Sequence, residues 1–159
     1  MVFEAEPEEA DVMRRPPRNP QEPLLGRRTL ALGLLQGGSV LLIVLAVFLV
    51  ALYGWHDELD ARAVCFTTLV VANLGLIFAN RSWSRTILST LRTPNPALWW
   101  VFGGTLFFLG LVLYVPFLRD LFHFSTLHPD DLAICLASGL VSILWFEGLK
   151  VVRRRAVID

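Results

Sequence analysis

The sequence predicts an all-α polytopic membrane protein with four transmembrane helices and both termini in the cytoplasm. Three observations predict it. The 159-residue chain is 55% apolar, with a mean hydropathy of +0.58, more than a single soluble domain of this size can bury. Its uncharged residues fall into four long runs. Its basic residues fall almost entirely on one side of those runs.

The elements follow in order. Residues 1–28 form a polar arm, acidic first and then rich in Arg and Pro. Pro16, Pro17, Pro20 and Pro23 rule out a continuous helix there. The arm's acidic start and the late onset of the first apolar run give no pattern of a cleavable signal peptide. Thr29–Trp55 contributes 27 residues without a charge, Ala63–Asn80 18, Ala97–Leu118 22 and Leu132–Phe146 15. A helix needs roughly 20 apolar residues to cross a hydrocarbon layer of ~30 Å. The first and third runs suffice alone, and the fourth reaches that length if Glu147 and Lys150 sit at the interface. The expected spans are 29–54, 63–80, 97–117 and 131–149, forming a bundle over 29–152, with a basic tail at 153–159. Short connections suit antiparallel neighbours.

Of the 14 basic residues, 12 lie before the first span, between the second and third, or after the fourth. Arg62 and Arg119 are the other two, and they share their loops with Asp57, Glu58, Asp60, Asp120, Asp130 and Asp131. Lys and Arg are retained on the cytoplasmic face, so these three segments are expected inside. Tyr53, Trp55, Trp83, Trp99, Trp100 and Tyr114 fall near span ends, as an aromatic belt requires. Ala72, Gly75 and Ala79, Gly103 and Gly110, Ala133 and Ala137, and Gly37-Gly38 are small residues at which helices could approach. Cys65 and Cys135 lie within spans and are expected to pack as small apolar residues.

Polar side chains inside the spans each ask for a partner. Asn73 lies near the middle of the second span, with Asn80 seven residues on. Asn73 either makes an interhelical hydrogen bond or lends its carbonyl oxygen to a cation pathway as a weak ligand. Glu147 and Lys150, three residues apart at the end of the last span, read as an interfacial pair. Gln36 reads as interfacial. Asn80-Arg81-Ser82 has the glycosylation pattern but falls on the cytoplasmic side. No phosphate loop, metal-ligand spacing or activated nucleophile is present. His56, His123 and His128 form no ligand set. Hence no catalytic residue and no cofactor are expected, and the lipid bilayer rather than nucleic acid is the partner.

The run Asp11-Val12-Met13-Arg14-Arg15-Pro16-Pro17-Arg18 resembles the D-[IV]-M-[KR]-[RK]-P-P-R loop that follows the sixth membrane helix of P-type cation-transporting ATPases. The likeness is greatest to their calcium-pump and related bacterial branches. Leu24-Leu25-Gly26-Arg27-Arg28 is similar to the start of that family's seventh helix. Phe66–Ser82 resembles its eighth, Leu113-Tyr114-Val115-Pro116 the close of its ninth, and Glu147-Gly148-Leu149-Lys150 with Arg153 the close of its tenth. The resemblance covers the chain from about Phe3 onward.

It implies that the four spans are the last four helices of such a pump, in a bacterial inner (plasma) membrane, with the pump's remaining helices as partners. It also implies a truncated or split product. The D-K-T-G-T motif, the nucleotide-binding domain and the first six membrane helices are not in this chain, so the aspartyl-phosphate chemistry of the family is not expected of it. Of the family's ion ligands only the eighth-helix position carries over, onto Asn73, where relatives have Glu or Gln. Phe146 stands where the closing motif usually has Asp. A four-helix oligomeric transporter and a free-standing membrane subunit are the alternatives.

Overall fold

A computed structural model describes residues 26–54, 57–81 and 95–158, with the backbone alone at 28, 29 and 149–158. The run at 11–18, residues 24–25, Trp55, His56 and Trp83 lie outside it. Among the described residues there are five helices and no strand: α1 (Arg27–Gly54), α2 (Glu58–Asn80), α3 (Pro96–Tyr114), α4 (Pro116–Phe122) and α5 (Pro129–Ile158). Four of them are long and apolar enough to cross a membrane, over Leu30–Gly54, Glu58–Asn80, Pro96–Tyr114 and Pro129–Gly148.

Local chemistry sets the ends. Asp57 caps α2, its side chain accepting from the Glu58 N–H at 2.9 Å. Glu58 and Asp60 in the first turn suit the positive end of the helix dipole. The helix therefore starts five residues before the apolar run at Ala63, with Arg62 paired to Glu58 one turn back. Asn95 caps α3 by accepting from the Leu98 N–H at 3.1 Å, and Pro96 takes the first helical position, where its missing N–H costs nothing. Pro116 ends α3 at Tyr114: Val115 is forced to extended geometry (φ −80°, ψ 117°), and Pro116 then opens α4. His123 closes α4 in the left-handed region at φ 55°. At α5 the Asp131 side chain reaches back to accept from the His128 N–H at 3.0 Å, half of a capping box. α5 continues through the basic segment to Ile158.

α2 is the centre of the bundle. It packs most extensively on α5, then on α1, and more lightly on α3. One apolar cluster joins Ala63 and Val64 of α2, Leu109 and Leu113 of α3, Leu127, and Cys135 of α5. A second joins Val40 and Val44 of α1 to Ala72 of α2. The α2–α5 contact is closest at two glycines. A Cβ on Gly75 would lie 2.3 Å from Ile143, and one on Gly139 would lie 2.5 Å from Val71. Without a hydrophobic drive between helices in lipid, such close backbone approach is what gains dispersion contact.

The small residues of α2 are thus buried as their spacing suggests: Ala72, Gly75 and Ala79 all face inward. Elsewhere the pattern differs. Gly37, Gly38, Gly103 and Gly110 have nothing near the place of a Cβ, and Ala133 and Ala137 are exposed. On α5 the contact falls on Gly139 instead, because the face toward α2 runs through Asp131, Cys135, Gly139, Ser142 and Phe146. Cys135 packs in the core and its thiol donates to the Val64 carbonyl at 3.4 Å. The outer surface is the reverse of a soluble protein's. Leu34, Leu41 and Leu42 of α1, Phe107 and Phe108 of α3, and Leu140 and Leu144 of α5 are exposed, an apolar girdle suited to lipid or to further membrane helices and not to water.

Candidate functional site

Among the described residues of the spans, the bundle pairs Gln36 with Asn80, buries the Thr67 and Thr68 hydroxyls without a hydrogen-bond partner, and leaves Asn73 facing out. Near the end of α2, Asn80 and Gln36 of α1 form a reciprocal amide pair, with Gln36 Nε2 donating to Asn80 Oδ1 at 3.4 Å and Asn80 Nδ2 donating to Gln36 Oε1 at 3.3 Å. Gln36 is buried, as is the neighbouring Arg81. The sequence reads Gln36 as interfacial. The structure makes it the interhelical contact, since α1 crosses α2 beside Asn80.

Asn73 lies two turns further from that end and is exposed. No hydrogen bond reaches it among the described residues, so the amide of α2 that bonds to α1 is that of Asn80. At about 100° per residue, Val70 and Leu76 lie about 60° to either side of it on α2. Leu76 packs on the α1 contact with Val40 and Val44. Val70 borders a groove shared with Trp100, Gly104, Thr105 and Phe108 of α3. Asn73 therefore occupies the open sector of α2 between α1 and α3. Its amide carries one carbonyl acceptor and two N–H donors, all available to whatever lies against that sector.

The remaining site residues are placed more simply. Glu147 is half-buried on α5 behind the buried Phe146. The Lys150 side chain lies outside the described residues, so the structure does not address their pairing. On the opposite end of the bundle, Ser125 donates to the Asp60 carboxylate, and Asp131 is buried at the start of α5. No three His, Cys, Asp or Glu residues come together as a metal site among the described residues. Two polar contacts have no counterpart in the sequence pattern, Gln36–Asn80 and Ser125–Asp60. Each joins residues far apart in the chain, and neither has a local signal beyond the cost of a lone polar group in a span.

Comparison with known proteins bears on what this arrangement belongs to. The family described as "Cation transporting ATPase, C-terminus" matches residues 1–152. The chain is also similar to a calcium-transporting ATPase of Bacillus subtilis (strain 168), at 26% identity over 152 residues, a stretch that covers 92% of this chain and 16% of that protein. It thus spans about a sixth of the relative's length. An outward-facing amide on a four-helix bundle whose surface is otherwise largely apolar fits a match confined to one end of a larger transporter, and the chain belongs to the family of cation-transporting ATPase C-terminal domains.

Proposed function

We propose that this bundle works as the last four membrane helices of a P-type cation-transporting ATPase in a bacterial plasma membrane. Its role is to brace the helices through which the cation moves, while ATP hydrolysis belongs to other parts of the pump. Both termini face the cytoplasm in this reading, as the basic flanks require.

The observation that carries it is the orientation of Asn73. An amide at mid-span that faced hydrocarbon would forgo its hydrogen bonds at a cost of roughly 2–7 kcal/mol, depending on the reference state. An exposed amide between α1 and α3 is therefore matched to a polar surface, such as further helices bordering an ion path. As a neutral ligand Asn73 would contribute a carbonyl oxygen, suited to a hard cation, but it would not neutralise the ion's charge. The tight glycine contacts between α2 and α5 make the bundle a stiff wall behind that sector.

Purified chain reconstituted in vesicles tests the division of labour. The proposal expects no cation-stimulated ATP hydrolysis by these residues alone, and calcium-dependent hydrolysis by this polypeptide would contradict it.

A further inference from the structure

The short helix α4 has no part in the proposed support of the cation path, yet its position is fixed at both ends. At its start, Leu113 of α3 sits in the cluster with Ala63 and Val64 of α2. Ala63 directly follows Arg62, the last charged residue before the apolar run of α2. The chain thus leaves α3 at the depth where charge begins on α2. At its end, the ring of Phe122 stacks on Phe124 with centroids 5.8 Å apart. Phe124 in turn rests on Phe66 of α2 at 5.2 Å, and Ser125 is bonded to Asp60. The left-handed turn at His123 makes this return possible. Both flanks of α4 are thus tied to the Asp60–Phe66 stretch of α2, which keeps the short helix near that end of the bundle.

Its own sequence is two-sided. At about 100° per residue, Phe117, Leu121, Leu118 and Phe122 fall within an arc of about 140°, and Arg119 and Asp120 fall outside it. Phe117 is 75% exposed, Leu121 60% and Phe122 48%. Tyr114 at the end of α3, three residues before Phe117 across the break at Val115, is also exposed. We propose that α4 is an interfacial anchor, seating Phe117, Leu121 and Phe122 in the boundary between headgroups and acyl chains of the bilayer that the long helices cross. Apolar side chains at that depth bind the boundary layer while the opposite polar face stays hydrated. The occupant is lipid of the leaflet on the Asp57–Arg62 side. The anchor holds the α3–α5 connection in the plane of the membrane and so fixes how deep α3 sits.

Nitroxide labels on the full chain test this directly. In a background with Cys65→Ser and Cys135→Ala, single cysteines are introduced as Phe117→Cys, Leu121→Cys or Asp120→Cys, and each protein is reconstituted in phosphatidylcholine vesicles. Labels at 117 and 121 should collide with oxygen several-fold more often than with a water-soluble nickel chelate, and the label at 120 should show the reverse. Preference for nickel at 117 and 121 would overturn the proposal. So would shielding from both reagents there, which would mean that protein covers this face. The unaltered chain gives an independent reading. Phosphatidylcholine bearing a carbene precursor near the glycerol should form adducts on 116–122, and adducts on α3 with none on α4 would contradict the anchor.

Discussion

Gln36 and Asn80 face each other across α1 and α2 as a two-way amide pair, each side-chain N–H donating to the other's carbonyl oxygen at 3.4 and 3.3 Å. The pair satisfies two polar groups with one contact and so fixes the lateral register of α1 against α2. Replacing Gln36 with Leu removes both bonds and leaves the Asn80 amide without that partner. The expected loss is about 1 kcal/mol, in the range measured for polar contacts between membrane helices. Gln36→Leu combined with Asn80→Leu should lose less than the sum of the two single changes. Unfolding of the chain in mixed micelles by a denaturing detergent measures all three.

The close approach of α2 and α5 gives a second expectation. A methyl at Gly139 would meet Val71 at 2.5 Å, and Val71 is stiff at χ1 on a helix. Gly139→Ala should therefore destabilise the bundle by roughly 1–3 kcal/mol through overpacking. Adding Val71→Ala makes room and should recover much of the loss. At Gly75 the obstacle is Ile143, met at its Cδ1 and Cγ1. Its Cγ1 moves only with the stiff χ1 of a β-branched side chain, so Gly75→Ala should cost at least as much as Gly139→Ala in the same unfolding measurement.

The cap on α3 is a third. Asn95 is 1% exposed, and its carbonyl oxygen accepts from the Leu98 N–H. Asn95→Ala removes this partner from a helix start and should cost about 1 kcal/mol. Asn95→Asp preserves the acceptor but buries a carboxylate in place of an amide, so it should recover only part of the loss at neutral pH. Loss in both variants to the same extent would show that the acceptor is not what matters at this position.

Orientation yields a fourth. The acidic segments at Asp57–Arg62 and Asp120–Asp131 should face away from the cytoplasm. Asp120→Cys in intact cells should react with a membrane-impermeant maleimide, whereas Arg155→Cys should react only after the cells are opened. The opposite pattern would reverse the topology that the basic flanks imply.

Much of this architecture was legible in the chain itself, because membrane spans are written in charge. The four uncharged runs correspond to the four long helices. Their edges are less well marked. The second run suggests a start at Ala63, but the helix begins at Glu58, since charged side chains are tolerated in a first turn at the interface. The third suggests an end at 117, while α3 stops at Tyr114 because Pro116 cannot continue it. α4 was not anticipated, as seven residues are too few to declare a period. The site was legible only in part. Asn73 stands out as a mid-span amide, but which way it faces depends on where α1 and α3 lie around α2. Gln36 and Asn80 are 44 residues apart, so only the packed fold brings them together.

Transport by a chimaera tests the central claim most directly. In the Bacillus subtilis calcium-transporting ATPase, the matching C-terminal stretch is replaced by this chain, and ATP-dependent calcium uptake is measured in membrane vesicles. The account predicts that uptake survives, and that Asn73→Leu lowers it several-fold while leaving the unfolding of the isolated bundle unchanged within about 0.5 kcal/mol, as for an exposed site making no hydrogen bond inside the bundle. A chimaera that inserts and still forms its phosphoenzyme but moves no calcium would contradict the account. Uptake indifferent to Asn73→Leu would contradict the role assigned to that residue.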